Sequence, residues 1–206
     1  SNASQYMTKK PTRKDVKSVF AGLRPLAAQQ DNPNETKEIS RHHKVNVSTS
    51  GLISVLGGKW TTYRKMGEDT INTAALVGGL KEQKCKTKKL KLHAYEEQPD
   101  RDNPLHVYGS DRIIIESMGK PEDNKSLSEK FYISKNLILW SIEREMAIHL
   151  EDVIARRVRC LFLDAYETVK IAPKVAKIMA DALNKDQEWI EKELVHFNAI
   201  TKNYIL

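Results

Sequence analysis

The stretch from Ser50 to Lys65 constrains the fold more than any other part of the chain. Leu52 to Leu56 is a short apolar run rich in β-forming residues, which predicts a buried strand. Gly57 and Gly58 follow, and adjacent glycines favour a sharp turn or a close approach to a flat group. From Trp60 to about Leu76 the apolar residues recur at helical spacing. The stretch therefore predicts a strand, a turn and a helix in immediate succession.

A helix that begins directly after such a turn exposes its first backbone amides. These amides have no partner inside the helix, and they carry the positive end of the helix dipole. The position suits an anion or an electron-rich carbonyl oxygen, and Lys59 adds a full positive charge beside it. On the pattern alone, plain turn chemistry is the commoner explanation of a Gly-Gly pair. The spacing fits neither a Walker phosphate loop nor the Gly-x-Gly-x-x-Gly dinucleotide fingerprint.

A second strand is predicted just before this stretch. Ile39 to Ser48 alternates between polar and apolar residues, and turn-forming residues follow it as far as Gly51. This segment and Leu52 to Leu56 are therefore predicted to form a hairpin with a short loop. Arg41 begins the first strand and Lys59 follows the second. Because opposite ends of antiparallel strands meet, we expect both side chains at the same edge of the hairpin.

A further strand is predicted from Val16 to Leu23, where apolar residues show little helical periodicity. Pro25 biases Arg24 towards an extended conformation at the end of that strand. On the pattern alone, an arginine in such a place is usually solvated or ion-paired. If Arg24 converges with Arg41 and Lys59, the three cations would hold a doubly charged phosphate.

The rest of the chain predicts a linker and a helical domain. Residues 81–91 carry six lysines in eleven positions, which favours a solvated linker over a patch for anionic membrane or nucleic acid. From Leu105 onward the apolar spacing predicts helices. The predicted fold class is α+β, with a mainly α-helical C-terminal domain preceded by a small β-rich fragment. The predicted divisions are a tag remnant and loose leader at 1–15, a β-rich fragment of a larger domain at 16–80, a lysine-rich linker at 81–104 and a helical domain at 105–206.

Composition narrows the functional classes. The net charge of +7 is compatible with nucleic acid, an anionic membrane or an anionic substrate, although solvated lysines are the commoner explanation. Cys85 and Cys160 lack any pairing motif, which indicates a reduced, intracellular protein. No apolar run is long enough to span a membrane. The histidines lack metal-binding spacing and no nucleophile elbow is present, so neither a metal site nor a self-contained catalytic centre is predicted.

Three ordered motifs resemble those of a known enzyme family. Gly-Gly-Lys-Trp-Thr-Thr-Tyr-Arg-Lys-Met at 57–66 resembles the signature near the end of the flavin domain of FAD-dependent, quinone-linked glycerol-3-phosphate dehydrogenases. Gly-Leu-Arg-Pro-Leu at 22–26, followed by Ile-Ser-Arg at 39–41, resembles the family's Gly-x-Arg-Pro-Leu region. Residues 142–159 resemble its helical C-terminal domain. The resemblance runs from about Val16 to the end, and the family's N-terminal FAD-binding half has no counterpart here.

The resemblance implies an oxidoreductase. In that family FAD oxidises sn-glycerol 3-phosphate to dihydroxyacetone phosphate, and the electrons pass to quinone at a membrane. The resemblance implies that Arg24 is catalytic and that Arg24, Arg41 and Lys59 bind the substrate. It implies contacts with the cofactor for a run of consecutive residues: Gly57, Gly58, Lys59, Trp60, Thr61 and Thr62.

The resemblance also implies partners and a location. The partners are FAD in the longer protein, glycerol 3-phosphate, quinone and the protein's own N-terminal FAD domain. The implied location of the protein is the cytoplasmic, inner face of the cell membrane. Because that domain would hold the adenine and pyrophosphate, the chain alone is expected neither to bind FAD tightly nor to turn over. Two alternatives remain: an oxidase that reduces oxygen, and a helical module that docks to a membrane or a second subunit. A homodimer is also left open, whereas nucleic acid is not expected as a partner.

Overall fold

The computed structural model describes residues 2–23 and 42–206, which fall into two compact units. One unit, Gly22–His93, contains the hairpin and is called the hairpin unit below. The other joins Ser1–Ala21 to Ala94–Leu206 and is called the helical unit. A two-stranded sheet in a chain that is otherwise mostly helical confirms the predicted α+β class.

The predicted hairpin is confirmed. Strands β1 (His43–Val47) and β2 (Ile53–Gly57) pair in antiparallel fashion. The Ser48 hydroxyl accepts a hydrogen bond from the Leu52 amide at 3.0 Å. Gly51 has a φ of +83°, a left-handed conformation that glycine adopts without steric cost. The turn residues recognised in the sequence therefore close this loop.

The predicted helix after the Gly-Gly pair is also confirmed. A 3₁₀ turn at Trp60–Thr62 leads directly into helix α1, Tyr63–Val77. The helix ends in a Schellman motif, in which the Leu80 amide donates to the Ala75 carbonyl at 2.8 Å. Gly79 occupies the left-handed position of that motif, with a φ of +62°.

The strand predicted at Val16 to Leu23 is wrong, since the structure describes no strand there. No strand in the described part of the chain pairs with this segment, and residues 17–19 instead make single hydrogen bonds to helical segments or to the turn after α6. The bonds run from the Ala165 amide to the Lys17 carbonyl (3.0 Å), from the Val19 amide to the Tyr204 carbonyl (2.9 Å) and from the Ser18 hydroxyl to the Leu161 carbonyl (2.7 Å). Apolar residues without helical periodicity indicate an extended segment, but they do not show whether a neighbouring strand pairs with it.

The helical unit is built from short and long helices in chain order. Its α-helices are α2 (Arg112–Ser117), α3 (Lys135–Glu143), α4 (Cys160–Leu163), α5 (Ala165–Leu183) and α6 (Gln187–Thr201), with a π-helical segment at Asp152–Arg157. Short 3₁₀ turns lie at Asn2–Gln5, Arg13–Asp15, His106–Asp111 and Pro121–Asn124, and one at Thr87–Lys89 belongs to the hairpin unit.

Side-chain caps fix where three of these helices begin. Ser134 accepts from the third amide of α3, Asp164 does so for α5, and Asp186 does so for α6. Each cap satisfies an amide that has no partner inside its helix. Asn184 then ends α5 in a left-handed conformation, with a φ of +53°.

The hydrophobic core lies in the helical unit. It combines residues of α3, the π-helical segment, α4, α5 and α6 in one continuous cluster. Its largest fully buried side chains include Phe197, Ile138, Leu150, Ile154, Leu161 and Met179. In the hairpin unit, by contrast, none of the described residues is buried.

Candidate functional site

The Gly-Gly turn joins β2 to the start of α1. Gly57 has a φ of +72° and Gly58 a φ of +87°, which are conformations that L side chains rarely adopt. A Cβ atom on Gly58 would lie 2.7 Å from the Met66 sulfur and 3.2 Å from the His43 Cβ. The backbone conformation therefore requires glycine at position 58, and a larger residue would also have to displace the end of the Met66 side chain.

Two backbone amides at the mouth of the helix have no acceptor among the residues that the structure describes. The Thr62 amide donates to the Lys59 carbonyl at 2.9 Å, which closes the 3₁₀ turn. Within residues 2–23 and 42–206, the Trp60 and Thr61 amides have no hydrogen-bond partner. They lie at the positive end of α1, where donors are held ready for an anion or a carbonyl oxygen.

The side chains of the same run differ in what they still offer. The Thr62 hydroxyl donates to the Lys59 carbonyl at 2.9 Å, so its proton is already used in the turn. Thr61 and the Lys59 ammonium are exposed. Trp60 is 87% exposed and stacks on Tyr63, with ring centroids 5.7 Å apart. Of the two threonines considered from the sequence, Thr61 is therefore the one whose hydroxyl makes no hydrogen bond to another described residue.

A carboxylate braces the hairpin against the helix, and sequence reasoning missed it. Asp69 on α1 accepts from His43 Nε2 at 3.0 Å and from Lys65 Nζ at 2.6 Å. The Lys65 hydrogen bond, with help from His43, holds the pKa of the Asp69 carboxyl below its usual range. Since His43 pairs with Gly57 across the hairpin, Asp69 fixes the turn relative to the helix. The Lys65–Asp69 spacing of four residues was the available signal, but nothing local pointed to His43.

The two predicted substrate arginines, Arg24 and Arg41, lie outside the described residues. Their convergence with Lys59 on a phosphate therefore remains a prediction. The described residues do bring the six predicted cofactor-binding residues together, because Gly57 to Thr62 form one continuous turn and helix start.

Two kinds of feature are absent from the described residues. No group of three or more His, Cys, Asp or Glu side chains among them could hold a metal ion. None of the helices that they form is both long enough and apolar enough to cross a membrane.

Comparison with known proteins decides the family. Residues 70–190 match the model of the C-terminal domain of alpha-glycerophosphate oxidase, which is more than half of the chain. The chain belongs to this family. The matched residues include about half of α1 and the helical unit from Ala94 to the start of α6.

The relatives compared with this chain are named as glycerol-3-phosphate dehydrogenases. The chain is similar to the probable mitochondrial glycerol-3-phosphate dehydrogenases of Dictyostelium discoideum, 31% identical over 94% of the chain and 33% of the relative, and of Caenorhabditis elegans, 34% identical over 83% and 27%. The mitochondrial glycerol-3-phosphate dehydrogenase of Bos taurus is 31% identical over 88% and 28%. The chain thus spans about a third or less of the curated relatives it matches. The resemblance stated from the motifs is confirmed.

Proposed function

We propose that the chain is part of a FAD-dependent enzyme that oxidises sn-glycerol 3-phosphate to dihydroxyacetone phosphate. Family membership and the names of the relatives support the substrate and the reaction. The structural observation that carries the proposal is the mouth of α1. There a two-glycine turn leaves the Trp60 and Thr61 amides without partners in the part of the chain that the structure describes, and an exposed Lys59 lies beside them.

The mouth of α1 fits one polar edge of a flavin ring. The two amides would donate to ring acceptors, Thr61 would add a hydroxyl donor, and the glycines would let the backbone approach a flat group. The helix dipole at this end would stabilise negative charge on a reduced ring. Bound FAD would supply the acceptor for the hydride that leaves the alcohol carbon of the substrate. The Thr62 hydroxyl is engaged with Lys59, so its part in our proposal is to rigidify the turn.

The substrate would be held by cations. We assign the phosphate to Arg24 and Arg41, because a guanidinium group can donate two parallel hydrogen bonds to phosphate oxygens. Lys59 would act as a point charge at the mouth of the helix, where it is exposed. Arg24 would also touch the reacting part of the substrate, which is the catalytic role that the motif implies.

The electron acceptor is either quinone or oxygen. The relatives are named dehydrogenases, which favours quinone, whereas the family model is described by an oxidase. Because acceptor choice depends on the surroundings of the flavin, hydrogen peroxide production by the full-length protein separates the two. Peroxide formed in step with substrate oxidation would assign the oxidase reaction. Its absence, with reduction of an added quinone, would assign the dehydrogenase.

We further propose that the enzyme acts at a membrane, as a peripheral protein, because quinones are membrane-soluble. The resemblance of the motifs implies the inner face of the cell membrane, whereas the names of the relatives place those proteins in mitochondria. Fractionation of source cells, followed by a salt or carbonate wash of the membranes, tests the location. A peripheral protein is released by the wash, and a protein that never sediments with membranes would contradict the proposal.

The test of the reaction uses the full-length protein that contains this chain. Its flavin absorbance is recorded without oxygen, before and after addition of glycerol 3-phosphate. We expect bleaching in the wild type and in Arg13→Ala, an exposed control arginine. In Arg24→Ala the bleaching rate should fall at least about tenfold, since a hydrogen bond to a charged group contributes about 1.5–3 kcal/mol. A protein without flavin, or one bleached only by an unrelated substrate, would overturn the proposed function.

A further inference from the structure

One face of α1 and the segment 83–92 enclose a groove of about 770 Å³ within the hairpin unit. The helix contributes Tyr63, Gly67 and Ile71, which are four residues apart and form one stripe. The segment contributes Leu90 and Leu92. The sequence had indicated a solvated linker here, but this part of it lies against the helix.

The floor of the groove is apolar and open to solvent. Ile71 is 68% exposed, and Leu90 and Leu92 are exposed to a similar extent. Contiguous exposed apolar surface is uncommon on a complete soluble protein, and a large patch usually marks an interaction site. The groove therefore resembles one side of an interface whose other side is absent from the described residues.

The rim of the groove is basic. Arg64 pairs with Glu68 at 2.8 Å, and Lys88 lies 3.7 Å from the same carboxylate. Elsewhere on the rim, Lys84 and Lys86 have no carboxylate partner among the described residues. One acidic side chain thus faces four basic ones, so a complementary surface would be acidic.

The hairpin unit as a whole also lacks a core, because none of its described residues is buried. The relatives are about three or more times as long as the matched part of this chain. Additional polypeptide is therefore part of the family's architecture. A segment of it with an apolar stripe and acidic flanks would match both the apolar floor and the basic rim of the groove.

We propose that this groove receives an amphipathic segment, apolar in the centre and acidic at its edges, from the remainder of the full-length protein. The interaction is of the kind in which the apolar face of a helix lies in a hydrophobic groove. The proposal rests on the proposed function only in taking the chain to be part of a longer flavoenzyme. The Gly-Gly turn and the flavin-facing amides are not part of the groove.

The chain contains its own probe of the groove. Cys85 lines it and is half-buried, whereas Cys160, the other cysteine, is buried in the helical unit. The Cys85 sulfur lies 3.2 Å from the Thr87 hydroxyl and 3.6 Å from the Arg64 guanidinium. The hydrogen bonds from Thr87, with Arg64, lower the pKa of the Cys85 thiol, which favours rapid alkylation.

The experiment compares the rate of Cys85 alkylation by iodoacetamide in the isolated chain and in the full-length protein, followed by peptide mass spectrometry. We expect the full-length protein to react at least about tenfold more slowly, because the added segment covers the thiol. Equal rates would overturn the proposal. Substrate bleaching of the flavin is measured separately. Protection without bleaching would contradict the proposed function alone, and bleaching without protection would contradict the groove proposal alone.

Variants of the full-length protein localise the effect. Ile71→Asp places a charge on the floor and should restore fast alkylation, whereas Leu76→Asp changes an 82% exposed residue of α1 outside the groove lining and should not. If Ile71→Asp prevents folding, hydrogen exchange of Tyr63 to Asn72 in the two wild-type proteins decides instead, with slower exchange expected in the longer one. Equal exchange overturns the proposal. FAD or anionic phosphatidylserine vesicles are also added to the isolated chain. If either one slows the alkylation of Cys85 as much as the full-length protein does, the proposal is overturned.

Discussion

The two units of this chain solve the problem of burial differently. The helical unit buries side chains from five of its helical segments in one cluster, whereas the hairpin unit has correct turns, caps and pairing but no buried residue among those described. Local hydrogen bonds therefore suffice to specify the shape of a hairpin and a helix. They do not suffice to stabilise it, since most of the free energy of folding comes from burial.

The largest expected difference is in hydrogen exchange of the isolated chain. Amides of α5 should be protected by the global stability of the helical unit, whereas those of β1 and α1 should open locally. We expect the protection factors to differ by on the order of a thousandfold. Peptide-level exchange with mass spectrometry measures both units in one sample. Comparable protection of α1 and α5 would show that the hairpin unit is stabilised by contacts beyond those described.

A truncation in each unit tests the same comparison energetically. Phe197 is 0% exposed, so Phe197→Ala should lower the free energy of unfolding by about 3–5 kcal/mol through the cavity that it creates. Leu76→Ala in the hairpin unit should change it by less than about 0.5 kcal/mol. Urea denaturation followed by circular dichroism provides both values. A large effect of Leu76→Ala would mean that α1 is covered in the isolated chain.

Two glycines of the hairpin unit should respond in opposite directions to substitution by alanine. Gly58→Ala would place an L side chain in a left-handed conformation, at a cost of about 1–3 kcal/mol. Gly67 lies within α1 with no neighbouring atom where a Cβ would go, so Gly67→Ala should stabilise the helix by about 0.5–1 kcal/mol. Hydrogen exchange of α1 reports both changes. Tolerance of Gly58→Ala would argue against the tight turn.

The smallest expected effect is a pH dependence of the helical unit. His149 Nδ1 lies 2.9 Å from the buried Glu193 carboxylate, and this hydrogen bond, with Asp152 and Glu151 nearby, raises the pKa of His149 above its ordinary value of 6.5. Because the pKa is higher in the folded state, the added stability is complete below pH 6.5 and is lost as the pH rises through the folded-state pKa. The ring is 55% exposed, so we expect less than about 1 kcal/mol.

Unfolding by urea at several pH values measures this dependence. His149→Ala should remove it, whereas His196→Ala, at an exposed position of α6, should leave it intact. Glu193 also accepts from the Leu150 amide at 2.7 Å, and it is therefore not a suitable control. A stability that rises between pH 6 and pH 8, with about the slope of one proton, would contradict the assigned sign.

Sequence reasoning succeeded where the signal was local. The turn at Gly51, the glycines at 57 and 58 and the helix stop at Gly79 each depend on neighbouring residues, and all are confirmed. It failed where the partner was distant in sequence. The segment from Val16 lacked a strand beside it, and the Asp69 brace needed a histidine 26 positions away.

The candidate site divides in the same way. The run predicted to contact the cofactor lies in one turn because its six residues are consecutive, whereas the convergence of Arg24, Arg41 and Lys59 depends on tertiary distances that order along the chain does not give. The groove was missed because no sequence pattern indicates that its two sides, a helix and a lysine-rich segment, pack against each other.

The anchoring of residues 17–19 has a consequence for the order of folding. The Ser18 hydroxyl meets the Leu161 carbonyl across a sequence separation of 143 residues, and the Val19 amide reaches Tyr204 across a longer one. Closing such loops costs entropy that only many later contacts recover, so contacts of this kind are expected to form last. The helical unit is thus completed by a segment that lies far along the chain from the residues it contacts.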